Sequence, residues 1–133
     1  MKTIELWDIR DHVFLNLKEV LDPLLERARR SMWDVSGFAD EGGLFEVASI
    51  DGHDELSLLA DTRQRILGSR LLEIAAATPQ VIWATFRGFD PGDGTEPWIR
   101  LHAIDSTYWR CESRDIAARK ALMTAFQDVR LKG

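Results

Sequence analysis

The hydrophobic positions of this chain change period along its length. Residues 2–9 alternate weakly: Ile4 and Leu6 share a face while Trp7 and Ile9 break the pattern, which predicts a short N-terminal strand. Residues 12–18 support two readings. Val13, Leu15 and Leu17 alternate as a strand would, but Phe14, Leu17 and Leu21 keep helical spacing. The segment "DPLLERARRSMW" (22–33) predicts a helix, with Asp22 as cap, Pro23 in the first helical position, and Leu24, Leu25, Ala28 and Met32 as one stripe. "WDVSGF" (33–38) and "LFEVASI" (44–50) read as short strands, with turns at "DEGG" (40–43) and "DGHD" (51–54). From 54 to 77 the helical period returns through Leu56, Leu59, Ile66, Leu71, Leu72 and Ile74. Gly68-Ser69 would break that stretch into two helices, and Pro79 would stop the second.

Beyond Pro79 the period falls to two. "VIWATFRGF" (81–89) is rich in β-branched and aromatic residues, and "DPGDGTEP" (90–97) consists almost wholly of turn formers. "WIRLHAI" (98–104) then puts Trp98, Arg100, His102 and Ile104 on one face and Ile99, Leu101 and Ala103 on the other. After "DST", residues 107–112 return as a third strand, so short connections predict an antiparallel meander. Ser113 is the expected cap of a final helix, 114–129, with Asp115 in its first turn. Its apolar stripe would be Ile116, Leu122 or Met123, Phe126 and Val129, opposite Arg119, Lys120 and Arg130. The pattern predicts an α+β fold. A meander sheet (81–89, 98–104, 107–112), which N-terminal strands can extend, is covered by helices including 114–129, all in one domain spanning 1–133.

Composition narrows the class. With 133 residues, 45% hydrophobic and 29% charged, the chain can bury one core and has no disordered signature. No apolar run approaches the roughly 20 residues that cross a bilayer. The N-terminal "MKTIELWDIRDH" carries charges where a secretory signal needs an apolar run, so a cytoplasmic location is expected. The single cysteine excludes an intrachain disulfide and a multi-cysteine metal site. A net charge of −5 argues against nucleic-acid binding.

The distribution of charge is more informative. Between Asp34 and Thr62 every charged residue is acidic: Asp34, Asp40, Glu41, Glu46, Asp51, Asp54, Glu55 and Asp61. Such a stretch is either a set of solvated faces or a surface that attracts a basic partner.

Candidate chemistry is sparse. "IDSTYWRC" (104–111) gathers nucleophile-like side chains, and His102 can approach Cys111 across the hairpin. However, no glycine-rich elbow precedes Ser106, and Asp-Ser-Thr is a strong turn composition. "DGHDE" (51–55) offers four metal-ligand types, but adjacent ligands point apart, and a turn with Asp54 as helix cap accounts for it. "DPGDGTE" fails the calcium-loop spacing. Five tryptophans point mostly to core, with Trp98, just after the acidic loop, at a plausible rim and one or two exposed.

At "PQVIWATFRGF" (79–89), "IDSTYWRCESRD" (104–115) and "AFQDV" (125–129) the chain resembles a loose group of small bacterial proteins. Some of these are similar to immunity proteins that neutralise polymorphic or contact-delivered toxins. The resemblance covers the C-terminal half and implies a fold and a neighbourhood, with no catalytic residues to carry over.

The leading expectation is therefore a small, acidic, non-enzymatic binding protein: an immunity-type inhibitor that occludes a basic toxin such as a nuclease. Asp40, Glu41, Asp51, Asp54 and Glu55 are the expected charge contacts, with Asp90, Asp93 and Trp98 as a second patch and no catalytic residue, metal or cofactor. One alternative is a structural or regulatory homodimer built on an edge of the meander. The other is a small enzyme using His53 or His102, which requires a concave pocket holding a histidine and at least two acids.

Overall fold

A computed structural model describes residues 2–10, 13–48, 55–92 and 94–132. In chain order its elements are β1 (Lys2–Leu6), β2 (Ile9–Arg10), β3 (Val13–Phe14), α1 (Leu17–Leu21), α2 (Leu25–Arg30), β4 (Met32–Ser36), β5 (Glu46–Ala48), α3 (Glu55–Thr62), β6 (Ile66–Leu67), α4 (Gly68–Ala77), β7 (Gln80–Phe89), β8 (Ile99–Ile104), β9 (Tyr108–Ser113), α5 (Ile116–Ala125) and β10 (Val129–Lys132). Single 3-10 turns occupy Asp22–Leu24 and Ala39–Glu41.

The predicted meander β7–β8–β9 forms and stands at the centre of a wider antiparallel sheet, ordered β10-β1-β9-β8-β7-β4-β6. The short strand β5 pairs with the first half of β7, on the same edge as β4. The sheet is not closed, and the architecture is α+β. No helix among the described residues is long and apolar enough to cross a membrane.

Strand alternation decides which side is covered. Ile4, Cys111, Leu101, Phe86 and Val35 lie opposite one another across five strands, and each is buried. The apolar residues of the helices, such as Val20, Ala28, Leu56, Leu71 and Leu122, join this same core. Gly88 is required beside it: a Cβ there would stand 3.0 Å from the buried Trp33 indole. Trp33 and Trp109 bury their rings and still donate their N–H groups to the Ala28 and Leu15 carbonyls.

Several expectations are corrected. The helical segment begins earlier than Asp22: Asn16 caps α1 in a reciprocal capping box with Glu19, and Pro23 sits inside the 3-10 turn that joins α1 to α2. Leu25 is exposed, and Met32 belongs to β4. Ile66 pairs with Trp33 in β6 and is not helical. The stretch does divide into two helices, but the break falls before Gly68, which starts α4 and has no room for a Cβ, since one would meet the Ala28 carbonyl oxygen at 1.7 Å. Asp115, not Ser113, caps α5, accepting from the Ala117 amide. That helix ends at Ala125, and Val129 lies in β10. There the Asp8 carboxylate accepts the Gln127 and Asp128 amides and turns the chain back onto β1. The "DGHD" turn lies outside the described residues.

Candidate functional site

Among the described residues no α-helix packs on the other face of the sheet. Polar residues at the alternate positions form cross-strand rows: Lys132, Thr3, Glu112, Arg100, Arg87 and Asp34 in one, and Arg130, Glu5, Arg110, His102, Thr85 and Ser36 in the next. The segment after β4 curls over this face, pinned by Phe38, which bonds Leu44 and packs its ring 5.2 Å from His102 and 5.9 Å from Trp83. Together they enclose an open cleft of about 1070 Å³.

His102 is the most constrained group in it. Its Nδ1 stands 2.8 Å from Thr85 Oγ1 and its Nε2 2.6 Å from Glu112 Oε1. Burial lowers the His102 pKa from its ordinary value, with the Glu112 carboxylate opposing that shift. The neutral ring then donates from Nε2 to Glu112 and accepts the Thr85 hydroxyl at Nδ1, so both nitrogens are satisfied.

The cations of the cleft divide into paired and unpaired. Arg87 grips the buried Asp34 with two hydrogen bonds of 2.9 and 2.6 Å, which raises the Arg87 pKa above its ordinary value despite partial burial. Arg110 reaches Asp40 at only 3.4 Å. Lys132 stands 3.9 Å from Glu5. Arg100 and Arg63 have no ion-pair partner among the described residues, although Arg100 sits directly opposite Arg87 in the β7–β8 register. Like charges in directly opposed sheet positions are destabilising.

The acid-only stretch folds onto one edge of the sheet, through β4, the segment after it, β5 and α3, which packs on β4. Several of its acids meet cations from outside the stretch: Asp34 with Arg87, Asp40 with Arg110, and Glu55 with Arg70. Glu41, Glu46 and Asp61 are exposed and have no ion-pair partner among the described residues. Asp51, His53, Asp54 and Asp93 lie outside the described residues.

Of the second sequence-derived patch, Trp98 is interior and Asp90 is half-buried and paired. Asp90 accepts a bidentate contact from Arg27, which also pairs with Asp115 and stacks 4.2 Å from the Trp98 ring. Trp98 is buried and donates its indole N–H to Ser31 Oγ at 2.9 Å, so it is not a rim residue. None of the five tryptophans is exposed; Trp7 and Trp83 are half-buried.

His102 and Cys111 do not meet. They occupy opposite faces of the sheet, and burial pushes the Cys111 thiol far up from its ordinary value, leaving no thiolate. Asp105 and Ser106 adopt left-handed conformations in a tight turn, as the composition predicts. Among the described residues no group of three His, Cys, Asp or Glu is placed to hold a metal ion. The meander's outer strands are both paired internally, β9 with β1 and β7 with β4 and β5. The sheet's own edge β10 carries Arg130 and Lys132, charges that discourage edge-to-edge pairing.

Sequence reasoning missed the cleft as a unit. The alternation puts Arg100 and His102 on a shared face, but nothing local joins them to Thr85, Arg63 or Arg110. Comparison with protein-family models, with curated proteins and with solved structures finds no match.

Proposed function

We propose that this chain is a small, non-catalytic binding protein of the inhibitor (immunity) kind, docking a basic protein partner through its acidic edge. The observation that carries the reading is the exposed set Glu41, Glu46 and Asp61. After folding has neutralised Asp34 and drawn Asp40 and Glu55 toward arginines, these three carboxylates remain exposed and have no ion-pair partner among the described residues. Complementary fields of this kind accelerate encounter and reject like-charged competitors. Co-expression with toxin-like reading frames adjacent to its gene is the test. Rescue by wild type, lost in a folded E41K/E46K/D61K variant, is the expected outcome. Absence of rescue together with absence of any co-purifying basic protein overturns the reading.

A second reading has one observation in its favour: Thr85, His102 and Glu112 form a hydroxyl–imidazole–carboxylate chain inside a cleft that Glu5 and Asp40 also line. That is the protonic arrangement of an activated nucleophile. Two features weigh against it. Thr85 is buried to within 6% of full occlusion, and the sheet amides around it are committed to the ladder, so no backbone donors are free to hold an oxyanion. Turnover of an activated ester that disappears in T85V would favour this reading over the first.

A further inference from the structure

We propose that the cleft on the helix-free face of the sheet binds an oxyanion, the phosphate or carboxylate of a small ligand, through Arg100 with Arg63 and Arg110. The inference rests on the cleft alone and is independent of the partner assigned to the acidic edge.

Arg100 is the central observation. It projects from the middle strand of the sheet, where a side chain has neighbours on both sides, yet among the described residues no carboxylate comes within ion-pair distance of it. On one side Arg87 faces it directly with the same charge, and Asp34, the carboxylate nearest in that row, is committed to Arg87 by two hydrogen bonds. On the other side Glu112 is its register partner, but Glu112 turns its oxygen to His102 instead. His102 cannot supply a countercharge either, since an imidazole is neutral or cationic. Folding thus holds two guanidinium groups opposite one another, with Asp34 bonded to Arg87 and Glu112 Oε1 bonded to His102 rather than to Arg100. Like-charge opposition costs stability, and a bound anion converts that cost into attraction.

Arg63 is the independent second observation. It ends α3 with φ +57°, and its amide bonds the Leu59 carbonyl, a helix-terminating position that glycine usually occupies. A residue with a Cβ is disfavoured there, and the side chain so placed lines the cleft. Part of the benefit of a cation at this point comes from the helix C-terminus, but that benefit does not require the side chain to border a cleft already holding Arg100 and Arg110. Guanidinium is also the group whose planar fork matches carboxylate and phosphate oxygens in pairs. Arg110 is held only by long contacts, 3.4 Å to Asp40 and 3.4 Å to the Tyr108 hydroxyl, with its guanidinium 5.5 Å from the Phe38 ring centre.

Titration calorimetry with inorganic phosphate and with succinate, at ionic strength held constant with sodium chloride, tests the proposal. Saturable binding of either anion, weakened at least tenfold in R100Q and in R63G, is the expected result. The free R63G and R100Q proteins should melt no lower than wild type, since one removes a strained backbone position and the other a like-charge contact. Binding of phosphate alone would identify a phosphorylated ligand, and binding of succinate as well would identify a carboxylate one; either supports the site. If neither anion binds beyond chloride, or if both variants bind as wild type does, the proposal is overturned. Because R63G relieves strain, it keeps the test decisive even if R100Q perturbs the sheet.

Discussion

Consecutive residues of the same five strands build two opposite surfaces. Ile4, Cys111, Leu101, Phe86 and Val35 face the helices as one apolar row. One position along, Thr3, Glu112, Arg100, Arg87 and Asp34 form a row on the other side that no helix covers. A slip of one residue in any pairing would exchange the two sets, burying arginines and exposing the core. The apolar face therefore determines register, and the charged face inherits its geometry from that choice. This explains how Arg87 and Arg100 come to stand opposite each other: their placement is settled by Phe86 and Leu101 next to them, not by their own interaction.

The largest effect expected from breaking this contrast is on the apolar side. Phe86 is fully buried in β7, and F86A should cost about 3 to 5 kcal/mol, measured by denaturant unfolding. R100Q, in the adjacent strand on the other face, should change stability by less than about 0.5 kcal/mol. If the two substitutions destabilise equally, the division of labour between the faces is wrong.

The next effect lies where the charged face becomes structural. Asp34 is only 3% exposed and holds Arg87 through two hydrogen bonds. D34N should cost about 2 kcal/mol, the range for a hydrogen bond to a charged group, because Arg87 loses its only carboxylate partner among the described residues while still facing Arg100. Adding R100Q to D34N should recover part of that loss, giving a coupling of roughly 0.5 kcal/mol or more between the two sites. Strict additivity would mean that the two guanidinium groups do not sense each other.

The two faces also differ in how far the sequence disclosed them. Strands β7, β8 and β9 were legible because their period-two pattern is strong and their turns are spelled by Asp, Ser, Gly and Pro. The Asn16–Glu19 capping box was visible too, as Asn and Glu three residues apart, but Pro23 drew the helix start toward itself. The end of α5 was not legible. No glycine or proline marks it, and the chain turns at Phe126 because Asp8, far away in sequence, accepts the next two amides. The cleft was hidden for the same reason on a larger scale. Its charges come from β1, the turn after β4, the end of α3, β7, β8, β9 and β10, and no local pattern tells which of them are neighbours. The acid-only stretch was the converse: conspicuous in sequence, and partly neutralised by arginines that no local pattern pairs with it.

The smallest expected effect concerns pH and isolates His102 from the carboxylates around it. Burial lowers its folded pKa below the ordinary value near 6.5, while the unfolded chain keeps that ordinary value. Above about pH 6.5 both states hold the ring neutral, and His102 imposes no pH dependence. As the pH falls below it, the unfolded chain takes up a proton that the folded protein resists, so stability declines toward acid until the folded ring itself protonates. One such group contributes a slope of at most about 1.4 kcal/mol per pH unit. Glu112 sits against His102 Nε2, Thr85 against Nδ1, Arg100 and Arg110 lie within electrostatic reach, and Phe38 covers the ring. The arginines oppose a second positive charge there, and Glu112 favours it. Comparing unfolding free energies of wild type and H102Q from pH 7.5 to 5.5 separates this contribution from the general acid loss of carboxylates at lower pH. The wild type should lose stability across that interval and H102Q should lose distinctly less. A wild-type curve that instead rises as the pH falls would mean that Glu112 outweighs burial and holds the ring charged, turning the centre of the cleft more cationic still.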